Sequence, residues 1–158
     1  MTVRIAFAVA TLVAWALDVA TKVWAAAELD DRSVSMFGGR LLLRESRNTG
    51  AAFSIGTGST VLISLLGVVV VAAILLYVRR VTSPALAIGL GLVAGGALGN
   101  LTDRFLRSPG LLRGGVVDWI DLGWFPSFNA ADSAITIGAA LMLLASYVQE
   151  RRARAAES

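Results

Sequence analysis

Four long apolar stretches constrain this chain more than anything else in it: about Ile5–Ala27, Thr60–Val78, Ala85–Thr102 and Ala130–Val148. Each is long enough to cross a hydrocarbon core of roughly 30 Å at about 1.5 Å of helix per residue. Only 16% of the 158 residues are charged, where a soluble domain carries about a quarter, so a single all-α membrane domain over residues 1–158 is expected, with a flexible tail at 150–158. The first stretch is too long for a signal-peptide core, lacks a convincing cleavage site and is interrupted by Asp18 and Lys22, so it reads as a retained span.

Charge gives direction rather than function. The net charge of +3 comes from arginines clustered at the ends of the apolar blocks, where they anchor spans, and this argues against a nucleic-acid partner. Arg4, Arg79, Arg80, Arg151, Arg152 and Arg154 fall on one side, against Arg32, Arg40, Arg44, Arg47, Arg104, Arg107 and Arg113 on the other. The totals are nearly equal, but the first group lies in two tails and a very short turn, the segments that weigh most in topology. Both termini are therefore predicted to be cytoplasmic. Two longer external segments remain, about Glu28–Ser59 and Asp103–Asn129. Arg40–Arg44 after Gly38-Gly39 is predicted as a short strand, Asn48-Thr49-Gly50 as a turn, and Val116-Val117 as an extended piece.

The chain has no Cys and no His, which excludes thiol nucleophiles, Ser-His triads and His-ligated zinc. Hydrolytic chemistry has only carboxylates, hydroxyls and the single lysine, Lys22, to draw on. Ionisable groups inside spans are costly and point to function by default. Asp18 and Lys22 stand four apart on one helix face and can pair. Two readings stay open for them, a structural pair that fixes neighbouring helices and a part in a substrate site.

The third and fourth spans carry a sharper signal. One ends Gly99-Asn100-Leu101-Thr102-Asp103-Arg104 and the other begins Phe128-Asn129-Ala130-Ala131-Asp132. Each sets Asn three residues before Asp on one helical face. Because the spans run in opposite directions, Asp103 and Asp132 are expected at similar depth near the outer interface. Two close carboxylates in a poorly solvated place share one proton near neutral pH, the arrangement of an aspartic protease, with Asn100 and Asn129 holding the carboxylates or the substrate backbone. Against this, an Asp in a first helical turn or an Asn at a helix end is often only a cap. Asp118 and Asp121 are expected to be better solvated, forming salt bridges to Arg104 or Arg113. Gly91 and Gly95 make a small-xxx-small face suited to close packing, expected to bring the third and fourth spans together.

These residues, taken in order, resemble lipoprotein signal peptidase, also called signal peptidase II. Asp18-Val-Ala-Thr21-Lys22 is similar to its first motif and Asn48-Thr49-Gly50-Ala51-Ala52-Phe53 to its second. Gly95 to Arg104 resembles the third, Val116-Val117-Asp118-Trp119 the fourth, and Phe128 to Asp132 the fifth. The resemblance implies four membrane helices with a small strand-rich extracytoplasmic cradle and a lid-like segment from the first external loop. It implies Asp103 and Asp132 as the catalytic pair, with Asn48, Gly50, Asn100, Arg104, Asn129, Asp18, Lys22 and Asp118 binding substrate or supporting the site. It further implies bacterial prolipoproteins with a diacylglyceryl-modified Cys as substrates, cleavage just before that Cys in the cytoplasmic membrane, inhibition by globomycin, and no metal or other cofactor. The rival expectations are a small transporter with Asp18 as a proton-coupled site, a Ser-Lys peptidase using Lys22, and a purely structural membrane subunit. A neutral Lys22 is hard to reconcile with Asp18 one turn away.

Overall fold

The structure is a computed structural model that describes residues 2–50 and 59–157. The stretch Ala51–Phe53 of the second motif, and the lid-like segment expected around it, lie outside the described residues. Among the described residues four helices are long and apolar enough to cross a membrane: α1 (Val3–Glu28), α2 (Ser59–Tyr77), α3 (Pro84–Leu106) and α4 (Ala130–Glu157). The start of α3 follows local chemistry. At α3 the Ser83 hydroxyl accepts from the Leu86 N–H at 3.4 Å and Pro84 occupies the first turn, where its missing N–H costs nothing. α4 outlasts its apolar run. Where a flexible tail was expected, the helix continues to Glu157 through an exposed polar stretch in which Arg154 pairs with Glu150 one turn away.

At one end of the bundle the chain builds a three-stranded antiparallel sheet in the order β1 (Ser33–Met36), β2 (Leu41–Asn48) and β3 (Val116–Asp121). The expected strand at Arg40–Arg44 proves to be the start of the longer β2, and the Val116-Val117 piece extends to Asp121. A register irregularity between Leu43 and Ser46 interrupts the β2–β3 ladder. On the far edge of β3, Phe128 exchanges backbone hydrogen bonds with Ile120, which delivers the chain directly into α4. Val117 packs against Ala25 of α1 and Leu29 just beyond its end, with Leu43 and Trp119 around them, so the sheet is seated on the helix ends.

α3 is the centre of the bundle, and its glycines let two neighbours approach to backbone distance. A Cβ on Gly95 would lie 2.5 Å from the Thr11 carbonyl oxygen and one on Gly91 2.7 Å from that of Phe7, both on α1. A Cβ on Gly96 would lie 2.5 Å from the Ala131 carbonyl oxygen, and one on Gly89 2.9 Å from that of Gly138, both on α4. The Gly91–Gly95 face thus receives α1, not α4 as expected. Glycines one and two positions away, on the next face of the helix, receive α4. Without a hydrophobic drive between helices in lipid, such close packing carries much of the association.

Candidate active site

The candidate site lies where α3 and α4 meet the sheet. Asn129 caps α4: its Oδ1 accepts from the Asp132 N–H at 3.0 Å, and Asp132 Oδ2 accepts from the Asn129 N–H at 3.2 Å. This is a reciprocal capping box, with the carboxylate placed where the helix dipole favours negative charge. The capping alternative is therefore real, but it does not exhaust the residue. The other oxygen, Oδ1, accepts from Asn100 Nδ2 of α3 at 3.0 Å, and Asp132 lines a cavity of 450 Å³.

Asp103 sits elsewhere. Its Oδ2 accepts from the Val117 N–H at 3.1 Å and lies 3.2 Å from Lys22 Nζ, while Oδ1 pairs with Arg107. It is not among the residues lining the cavity. Three residues along a helix advance about 4.5 Å, so Asn100 and not Asp103 reaches the depth of Asp132. Asp103 lies beyond, covered by the incoming β3. It also stands in the last turn of α3, the end at which a negative charge is least favoured and a cation is wanted.

Asp118 takes the place expected for Asp103. It is only 3% exposed and lines the same cavity as Asp132, which corrects the expectation of a solvated loop carboxylate. It forms no salt bridge to Arg104 or Arg113; its partners are Asn48 Nδ2 at 3.0 Å and Asn129 Nδ2 at 2.7 Å. Burial pushes Asp118 up to about 6, the Asp132 charge adds to the rise, and the two amide hydrogen bonds and Lys22 oppose it. One residue, Asn129, thus touches both carboxylates. Asp121, the other loop carboxylate, pairs with Arg44 across the sheet at 2.5 Å.

The remaining expected residues fall into place around these two. Arg104 is buried, lines the cavity, and donates through Nη1 to the carbonyls of Asn48 and Gly114, each at 3.0 Å, tying the end of β2 to the loop before β3. Gly50 borders the cavity at φ +93°, its N–H held by Asn48 Oδ1 at 2.8 Å, so the expected turn is formed and a side chain there would be strained. Asp18 and Lys22 are both buried and paired at 2.7 Å, and among the described residues the partners of Lys22 are Asp18, Asp103 and Asn100, none of them a serine. One wall went unread in the sequence. Ile63, Ser64, Leu66, Gly67 and Val70 of α2 close the cavity on one side, and Ser64 donates to the Leu112 carbonyl at 2.8 Å. The signal was present, since Thr60, Ser64 and Gly67 recur at helical spacing in the most apolar helix.

A family model described as signal peptidase (SPase) II matches residues 10–148. The chain belongs to the signal peptidase II family. It is 49% identical over 130 residues to the lipoprotein signal peptidase of Rhodococcus jostii (strain RHA1), covering 82% of this chain and 66% of that one. It is 48% identical over 143 residues to that of Mycolicibacterium smegmatis (strain ATCC 700084 / mc(2)155), covering 90% and 60%. The chain thus spans about two thirds or less of the length of these relatives. Two solved structures of a bacterial membrane enzyme, obtained in meso at 1.9 and 2.3 Å, superpose with TM-scores of 0.74 and 0.75 at 28% identity. They cover 87% and 90% of this chain and 89% and 87% of their own. Like its family, the chain is a multi-pass membrane protein, and the described residues form the four membrane helices and the small sheet that its motifs led one to expect.

Proposed function

We propose that the protein is an aspartic endopeptidase that removes signal peptides from diacylglyceryl-modified prolipoproteins, cutting just before the lipidated Cys, with Asp118 and Asp132 as its catalytic pair. The observation that carries this reading is the bridging of two carboxylates by Asn129 at the polar end of a cavity whose walls are otherwise apolar. Asp132, held against the cavity by its cap and its Asn100 donor, acts as the general base and takes a proton from water. That water attacks the scissile carbonyl. Asp118, which burial keeps protonated to about pH 6, donates to the carbonyl oxygen and, as the tetrahedral intermediate collapses, a proton passes to the leaving amine. The wall from α2 fits an apolar peptide arriving from lipid.

The site belongs, on this reading, at the outer face of a bacterial cytoplasmic membrane, with both termini cytoplasmic, and globomycin-type peptides would compete for the cavity. The test compares purified Asp118→Asn, Asp132→Asn and Asp103→Asn on a diacylglyceryl prolipoprotein peptide. Removing either member of the pair is expected to lower kcat by on the order of a thousandfold. Asp103→Asn is expected to lower stability and to leave cleavage per folded molecule within about tenfold of the parent, because its oxygens serve Lys22, Arg107 and β3. Near-normal turnover by Asp118→Asn, or loss by Asp103→Asn as deep as by Asp132→Asn, would return the partnership to Asp103.

A further inference from the structure

Lys22 is buried one helix away from the carboxylates of the proposed pair, and its contacts reach one of them. Its ammonium carries three N–H donors and no acceptor. Nζ donates to Asn100 Oδ1 at 2.8 Å and forms ion pairs with Asp18 Oδ2 at 2.7 Å and Asp103 Oδ2 at 3.2 Å. The consequence for Asn100 is chemical. An amide beside an ammonium must turn its oxygen toward it, and the Asn129 Nδ2 contact at 3.2 Å reinforces the same orientation. The Asn100 NH₂ is thereby left pointing at Asp132 Oδ1, 3.0 Å away. Were the amide reversed, Asp132 would face a carbonyl oxygen and Lys22 an NH₂, a repulsion at both ends.

Resting on the reading of Asp132 as the general base, we propose that Lys22 is a positioning residue for the reaction, acting through Asn100: it fixes the amide so that one N–H is always presented to Asp132. Asp18 holds the other end of the device. Its Oδ2 carries Lys22, and its Oδ1 accepts from the Ala131 N–H at 2.8 Å, in the turn of α4 that contains Asp132. α1 therefore sets both the donor to the base and the helix that bears it. Gly99 leaves room for this: a Cβ there would collide with Asp18 Oδ2.

A merely structural lysine predicts something different, and a double-mutant cycle separates the two. Lys22→Met, Asn100→Ala and the double variant are purified, their melting temperatures recorded, and kcat and KM measured per folded molecule on the diacylglyceryl prolipoprotein peptide. Lys22→Met and Asn100→Ala are each expected to lower kcat about ten- to a hundredfold, the worth of one hydrogen bond to a charged group, with KM changed by less than about twofold. The double variant is expected to be no slower than the slower single variant, because both changes remove the same contact. Losses that multiply, or a Lys22→Met enzyme that melts earlier but turns over normally, overturn the proposal. Asn100→Asp covers the case in which Lys22→Met does not fold. It keeps a partner for the ammonium but has no N–H for Asp132, so kcat is expected to fall at least as far as in Asn100→Ala, and retained kcat overturns the proposal. Failure of the parent enzyme to cleave the peptide would instead sink the functional reading beneath it.

Discussion

α3 meets its neighbours in two different ways. Toward α1 and α4 it presents glycines, and the helices touch backbone to backbone. Toward α2 it presents side chains: Leu101 rests against Gly67 of α2, and Ile74 joins Leu90 and Ala94 at the far end. α2 remains largely bare, with Leu62, Leu66, Val69 and Leu76 all more than 60% exposed. Beside it lie the 450 Å³ cavity with the carboxylates and, on the α1 side, an apolar groove bordered by Trp15, Leu98 and Phe105. The difference divides labour. The tightly packed trio holds Asp132, Asn100 and Lys22 in place and gives β3 the seat from which it adds Asp118, while the loosely seated helix is the wall by which, on the proposed reading, an apolar substrate arrives.

The most demanding test of the rigid side is Asp118, which β3 brings into burial over the ends of the packed helices. With a folded value of about 6 against an ordinary 3.8, folding favours its protonated form. The stability this gives is fully present below about pH 4 and is lost as pH rises through about 6, a difference of roughly 3 kcal/mol. Asp118→Asn removes the penalty. The inactive variant is expected to melt at or below the temperature of the parent at pH 4 and above it at pH 7.5, the gap opening between those values. A gap that does not change with pH would mean that the carboxylate is not held in a desolvated place. In the parent, cleavage is expected to decline on the alkaline side as the same proton leaves.

The seam itself can be broken by one methyl group. Gly96→Ala drives a Cβ to 2.5 Å from the Ala131 carbonyl oxygen, one residue before Asp132. A backbone atom cannot rotate away, so α4 must shift, at a cost of about 1–3 kcal/mol. Because the shift displaces the base and its cap, kcat is expected to fall together with the melting temperature. A Gly96→Ala protein of parental stability and rate would show the approach to be looser than its geometry.

What the sequence disclosed and what it hid follow from the range of the interactions involved. The spans are legible because hydropathy is a property of consecutive residues. So is the Asn129–Asp132 cap, closed within a single turn. The partner of Asp132 was not legible, because it depends on where a remote strand lands. β3 arrives over the helix ends, its Val117 N–H takes Asp103, and Arg104 grips the carbonyls of Asn48 and Gly114. Asp118 is buried only through that long-range closure. The glycine faces were half legible: their spacing announced close packing, but Gly91 and Gly96 lie only five residues apart, and nothing local says which receives α1 and which α4.

The same substitution on the loose side should behave in the opposite way. Gly67 of α2 faces Leu101, and a Cβ there would lie 3.3 Å from Leu101 Cδ2, the far end of a flexible side chain and not a carbonyl. A small rotation of Leu101 accommodates it. Alanine also stiffens a helix interior relative to glycine by about 0.5–1 kcal/mol. Gly67→Ala is therefore expected to leave the melting temperature unchanged or slightly raised, with any effect confined to KM, since Gly67 lines the cavity but touches neither carboxylate. Purified Gly67→Ala and Gly96→Ala, compared on one substrate, measure the asymmetry directly. Equal destabilisation by the two methyl groups would mean that α2 is clamped as firmly as α1 and α4, and that substrate must enter by some other side.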